Sequence, residues 1–324
     1  MTGSHDPRGA PPGHGAPGSS AQPHALPSPV YAALDLGTNN CRLLVARPSR
    51  RGFKVIDAFS RIIRLGEGIT ASGRLSEAAM ARTAAALQVC AAKVSRHHVT
   101  RKRLVATEAC RIAANGVEFI ARIKADLGLG IEILSREDEA RLAVSGCASL
   151  IDPAADLVLV FDIGGGSSEL IWIDLGGKQV QRSEINGVPH FSRPGWSLPD
   201  RVDVQKRIRA WTSLPVGVVT LAERFGSGFV GPTEFEAMVA FVGSLLVPFE
   251  AKARVTPELA SRNVHLLGTS GTVTTVAGVH MGLPRYDRAR VDGSWITTSD
   301  VRAVTNRLVA ATPPGAHRRT LHRA

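Results

Sequence analysis

FDIGGGSSEL, residues 161–170, is the stretch on which the fold turns. The LVLV before it and the IWIDL after it are apolar runs of strand length, so the glycines read as a tight turn between two strands. Three successive residues without Cβ, Gly164, Gly165 and Gly166, let neighbouring backbone N–H groups converge on one anion, and Ser167 and Ser168 add hydroxyl donors. Phosphate fits such a concavity, and Gly165 and Gly166 are expected to leave room for it against the backbone. Toward the N-terminus, a constant offset of 127 residues lays Asp162 on Asp35, Gly164 on Gly37, Ser168 on Cys41 and Leu170 on Leu43. There YAALD, LGTNN and CRLLVA again read strand, turn, strand, with Gly37, Thr38 and Asn39 at the turn. A turn repeated in two domain-sized halves predicts a duplicated α/β lobe with a cleft between the copies.

A third turn follows the strand VHLLG, where GTSGTVTTVAG (268–278) opens a helix. Thr269, Ser270, Gly271 and Thr272 then lie at a helix N-terminus, whose orphan N–H groups favour anions; the plainer alternative is a polar turn whose threonines cap the helix. Asp35 and Asp162 each close the carboxyl end of an apolar strand. They either hold Mg²⁺ through water or cap their own turns.

Around these turns the chain divides into a Pro/Gly-rich tail expected to be disordered (1–28), a first lobe (29–153), a second lobe (154–312) and a basic C-terminal segment (313–324). The first lobe carries an Ala-rich helix from Ser76, a helix after Thr107 interrupted at Asn115-Gly116, and a helix N-capped by Ser135 that runs to about Leu150. The opening segment lacks the apolar core of a secretory signal, and no apolar run approaches membrane-spanning length, so a cytoplasmic protein with no membrane partner is expected. Four scattered cysteines suggest neither a metal knuckle nor a disulfide framework. The net charge of +11 favours an acidic partner. Nucleic acid is disfavoured, because no recognisable nucleic-acid-binding motif accompanies the charge.

The motifs YAALDLGTNNCRLLVA, RLGEG, ATEACR, SREDEARL, VFDIGGGSSELI, SLPVGVVTLAER and GTSGTVTTVAG, taken in this order, resemble the exopolyphosphatase and guanosine pentaphosphate phosphatase family, over about residues 31 to 312. The resemblance implies duplicated ribonuclease H-like lobes of the actin, Hsp70 and sugar-kinase superfold. It also implies a Mg²⁺-dependent phosphohydrolase acting on polyphosphate or guanosine pentaphosphate, between which the residues offer no choice. Carried over by motif position, Glu139 is the general base that activates water, Arg111 grips phosphate, and Glu169 helps position Mg²⁺ or water, with Asp35 and Asp162 beside it. Read without the resemblance, Glu139 is one of several acids complementing a helix dipole, Arg111 pairs with Glu108 three residues back, and Glu169 faces solvent. Glu137 and Asp138 place two further negative charges beside Glu139, where they either bind Mg²⁺ or raise its pKa.

The rival function is a non-enzymatic nucleotide- or polyphosphate-binding regulatory protein that keeps the three turns. Glu223 and Arg224 are expected near the cleft, with Trp211 more plausibly packing. DGSWITTSDVRAVTNRLVAAT is read as strand, N-capped turn and helix, stopped by Pro313-Pro314. Since members of the family continue into a further helix and strand, the resemblance implies a truncated second lobe, with association with a second copy of the chain as one way to cover it.

Overall fold

The structure is a computed structural model that describes residues 28–49, 52–176, 184–185, 188–189, 204–226 and 230–311. The expected tail, apart from Ser28, and the C-terminal segment 313–324 therefore lie outside the described residues.

The first lobe is built on a five-stranded sheet. Strands β1 (Tyr31–Leu36), β2 (Asn40–Ser49) and β3 (Gly52–Ile62) form an antiparallel meander, while β4 (Arg101–Ala106) and β5 (Glu132–Ile133) join parallel to β1, in the order β3-β2-β1-β4-β5. In β1 the alternation of Ala32, Leu34 and Leu36 puts every second side chain into the core. Helix α1 (Ile69–Ser72) follows the meander. Helix α2 (Glu77–Arg96), N-capped by Ser76 Oγ accepting from Ala79 N (3.2 Å), covers the sheet with Ala79, Met80, Ala86, Leu87 and Cys90. The helix after Thr107 breaks as expected into α3 (Glu108–Ile112) and α4 (Gly116–Leu127). Gly116 is required at the break, because a Cβ there would meet Cys110 O at 2.0 Å.

The second lobe repeats this plan with four strands among the described residues: β6 (Leu157–Ile163), β7 (Ser168–Asp174), β10 (Ile208–Leu214) and β11 (Val264–Thr269), in the order β10-β7-β6-β11. A separate ribbon pairs β8 (Glu184–Ile185) with β9 (Val188–Pro189). The duplication holds residue by residue. Asp35 pairs with Arg42 and Asp162 with Glu169; Leu34 pairs with Leu43 and Phe161 with Leu170. Both turns close with the same backbone bond, Gly37 N to Asn40 O (2.9 Å) and Gly164 N to Ser167 O (3.0 Å).

Helix α5 (Arg136–Cys147), capped by Ser135 as expected, precedes residue 153, yet its Ala140, Val144 and Cys147 join the second lobe's core with Val158, Val160 and Ile171. Its first turn is thereby delivered to the cleft. The remaining helices are α6 (Val218–Phe225), α7 (Pro232–Ala253), α8 (Val255–Ser261), α9 (Ser270–His280), α10 (Arg288–Val291) and α11 (Thr298–Ala310). The strand expected at DGSWI does not form: the segment joins no sheet, and Trp295 stacks on His265 with ring centroids 4.5 Å apart. Among the described residues, no helix is long and apolar enough to cross a membrane.

Candidate active site

The two equivalent turns face each other across the cleft. A Cβ on Gly165 would come within 3.0 Å of Thr38 Cβ and 3.1 Å of Asn39 N, and one on Gly166 within 2.8 Å of Thr38 Oγ1. The glycines were expected to make room for phosphate; the space their missing side chains leave is filled by the other lobe's turn. Glycine is needed here for lobe closure. Among the described residues the N–H groups of Thr38, Asn39, Gly165 and Gly166 have no hydrogen-bond acceptor, which leaves donors from both lobes at one place. Ser167 is buried in the turn, whereas Ser168 Oγ donates to Val216 O (2.7 Å), so its proton points away from an anion there.

The third turn joins them. Arg42 Nη2 lies 3.5 Å from where a Cβ on Gly271 would stand, so β2 of the first lobe reaches the start of α9 in the second. Ser270 takes the left-handed conformation, φ +79°, uncommon for a residue with a side chain and a form of strain that gathers at functional sites. Thr269 Oγ1 is buried and completes no hydrogen bond of normal geometry among the described residues, although it lies close enough to Asp162 to lower that carboxyl. Thr272 follows within the first turn of α9. Arg42 itself was not anticipated from the sequence. Its signal was the repeat: it occupies the position that Glu169 holds in the second lobe.

Four acids converge on this cleft. Asp35 keeps contact with water through the opening, yet it is walled in by protein, and this desolvation pushes its pKa up to about 6; Arg42 opposes the shift and Asp162 adds to it. Asp162 is raised by burial against the pull of Thr269, Ser270 and Arg42. Glu169, fully buried and accepting from Ser213 Oγ (2.8 Å), is raised as well by burial. Glu139 rises to about 7, first through burial and then through the neighbouring Glu169, while Arg111 holds it down. The expected influence of Glu137 and Asp138 is absent from that balance. Glu137 pairs with Arg141 (2.7 Å) and Asp138 accepts from Ser135 Oγ (2.7 Å), so both are occupied locally.

Arg111 joins the two lobes' acids. Its Nη2 donates to Glu139 Oε2 (2.9 Å) and Glu108 Oε2 (2.6 Å), its Nε to Glu108 Oε2 (3.0 Å) and its Nη1 to Leu134 O (2.6 Å). The pairing with Glu108, which the sequence set against a grip on phosphate, occurs, and the same guanidinium also reaches the candidate base. Across the cleft mouth, Glu223 accepts from Gly68 N (2.7 Å) and Thr70 Oγ1 (2.5 Å), a direct tie between lobes, while Arg224 lies over the Phe241 ring at 4.2 Å. Trp211 packs against the second core.

Residues 44–319 match the Ppx/GppA phosphatase family, well over half the chain. This chain belongs to that family. It is 31% identical over 292 residues to "Exopolyphosphatase 2" of Mycobacterium tuberculosis, covering 87% of this chain and 80% of that protein. Among solved structures it is similar to an exopolyphosphatase-like protein (28% identity, TM-score 0.69, 86% of this chain and 77% of that one). It is also similar to the Aquifex aeolicus Ppx/GppA enzyme (26% identity, TM-score 0.63, 87% and 81%). The paired lobes are those of the family's actin-like fold, and membership makes the chain a hydrolase, a phosphatase acting on polyphosphate-like substrates.

Proposed function

We propose that this phosphatase removes the terminal phosphate of inorganic polyphosphate or of guanosine pentaphosphate in a Mg²⁺-dependent reaction, with Glu139 as the general base. The observation that carries this reading is the convergence of a half-buried carboxyl of pKa about 7 with unpaired backbone N–H groups from both lobes in one cleft. A base titrating near the working pH accepts a proton efficiently without being protonated most of the time. Glu139 takes a proton from water as the water oxygen attacks the terminal phosphorus; the bridging P–O bond breaks, and the shortened chain leaves with its oxygen. The N–H groups of Thr38, Asn39, Gly165 and Gly166, with Ser167 and the start of α9 at Thr269 to Thr272, hold the phosphate oxygens. Arg42 adds a positive charge over the same ground.

Mg²⁺ suits the donors present. It takes hard oxygen ligands, keeps several waters and commonly binds through one or two carboxylates plus substrate phosphates. Asp35 and Asp162 answer that description from the two lobes, Glu169 lies beside them, and the orphaned Thr269 Oγ1 can serve a bound water. Among the described residues no three acids or other ligands are gathered closely enough for an all-protein cage, which is consistent with a mostly hydrated ion. When bound, the ion supplies charge neutralisation to the phosphate oxygens.

Phosphate release from long polyphosphate, tripolyphosphate and guanosine pentaphosphate, each with and without Mg²⁺, tests the substrate. Glu139→Gln tests the base: turnover is expected to fall roughly 10²-fold or more with KM nearly unchanged. Wild-type turnover in folded E139Q removes Glu139 from that role.

A further inference from the structure

Glu108 is a buried acid that the reading above does not use. Its side chain is 4% exposed and lies under the second lobe's glycine turn, where a Cβ on Gly166 would stand 3.3 Å from its Cγ. Its two oxygens face two arginines: Oε2 accepts from Arg111 Nε and Nη2, and Oε1 accepts from Arg136 Nη2 at 2.8 Å. A buried carboxylate survives only with such partners.

The consequence falls on Arg111. A guanidinium has five N–H donors, and four of these are taken by Glu108, Glu139 and the carbonyl of Leu134. The edge formed by Nε and Nη2, the fork with which arginine grips a phosphate, is closed by Glu108 Oε2. What remains directed at the chemistry is one Nη2 proton on Glu139. We propose that Glu108 is a positioning residue that withholds Arg111 from the substrate and turns it into a holder of Glu139. The geometry assigns Arg111 to orienting the base, and Glu108 is what enforces that assignment. The inference rests on the reading of Glu139 as base.

Glu108→Gln removes the charge that occupies the fork while nearly keeping the shape. Arg111 is then free to turn toward phosphate, so binding should tighten while the base loses its fixed orientation. Expected in E108Q are a KM for tripolyphosphate roughly threefold to tenfold lower and a kcat at least roughly tenfold lower, as for a displaced catalytic group. A merely structural role would not lower KM. The double variant E108Q/R111Q should lose the KM gain, because the arginine that produces it is gone. Unchanged KM and kcat in folded E108Q, or a raised KM, overturns the inference. Should E108Q fail to fold, R111Q and E108Q/R111Q decide: equal kcat and KM in the two shows that Glu108 acts only through Arg111, and a difference beyond about threefold overturns the proposal. E139Q run in parallel separates the two readings. Wild-type kcat in E139Q removes the base, whereas an inactive E139Q beside an unaltered E108Q removes only the role of Glu108.

Discussion

The two hairpins that open the lobes share register and turn closure, and of the paired positions at which they differ one bears on the cleft: Asp35 faces Arg42 in the first lobe, and Asp162 faces Glu169 in the second. Duplication supplied two backbones whose turns each leave N–H groups without an acceptor among the described residues. Divergence at that one pair made the cleft asymmetric, with a cation on one wall and a fully buried acid on the other. The turns differ in crowding as well. A Cβ on Gly37 would approach only its own turn, at 3.3 Å from Asn40 O, whereas one on Gly165 would strike the opposite lobe. Gly37 and its equivalent Gly164 thus shape their own turns, whereas Gly165, at the place Thr38 holds in the first lobe, lets the two lobes meet.

The largest expected effect exploits that difference. Gly165→Ala should lower kcat/KM by at least roughly tenfold, since its methyl pushes the first lobe's turn back by a few tenths of an ångström beside the reacting groups. Gly37→Ala should cost less than about tenfold, because only its own turn must adjust. Phosphate-release kinetics on both folded variants check this, and equal losses would break the contrast between the turns.

A second expectation concerns pH. Glu139 and Asp35 have folded pKa values raised to about 7 and about 6, above their ordinary carboxylate values of 4.5 and 3.8. The folded protein thus holds these protons more tightly than the unfolded chain does. Their contribution to stability is complete below about pH 4 and is lost as pH rises through 6 to 7. Thermal melts of unliganded protein should move upward between pH 8 and pH 5. Glu139→Gln should gain roughly 2 kcal/mol at pH 8. Asp35→Asn, whose carboxyl is screened by water in the cleft, should gain only about 1 kcal/mol or less. A melting point unmoved over that range, or no gain in E139Q, would show that the cleft acids are better compensated than their surroundings suggest.

The smallest effect tests the tie across the cleft mouth. Glu223→Gln keeps one acceptor for Gly68 N or Thr70 Oγ1 and loses the charge, and because the contact is exposed, KM should change only about twofold to threefold. Hydrogen exchange at residues 66 to 72 should quicken, and unaltered exchange there would mean that glycine packing alone holds the lobes together.

Local signals made much of this legible. Apolar runs around glycine turns announced the hairpins, the Ala-rich run from Ser76 announced α2, Ser135 announced α5 as its N-cap, and Asn115-Gly116 announced the break between α3 and α4. Each is a property of a few consecutive residues. The strand expected at DGSWI failed because a strand needs a partner edge, and nothing local reveals that Trp295 will stack on His265 instead. The rise in the pKa of Glu139 expected from Glu137 and Asp138 failed similarly, since adjacency in sequence does not say that an exposed helix face will pair them with Arg141 and Ser135.

From the chain alone came the duplicated α/β lobe, the three turns and, through motif order, the candidacy of Glu139, because turn chemistry and strand alternation act over short distances. Only the tertiary structure decided that Gly165 and Gly166 admit the opposite lobe, that Arg42 crosses to Gly271, and that Arg111 turns its remaining Nη2 proton onto Glu139. These depend on how two lobes approach and on which charges are left without water. Desolvation and contact across a cleft arise from residues far apart in the chain, so no local reading of the sequence contains them.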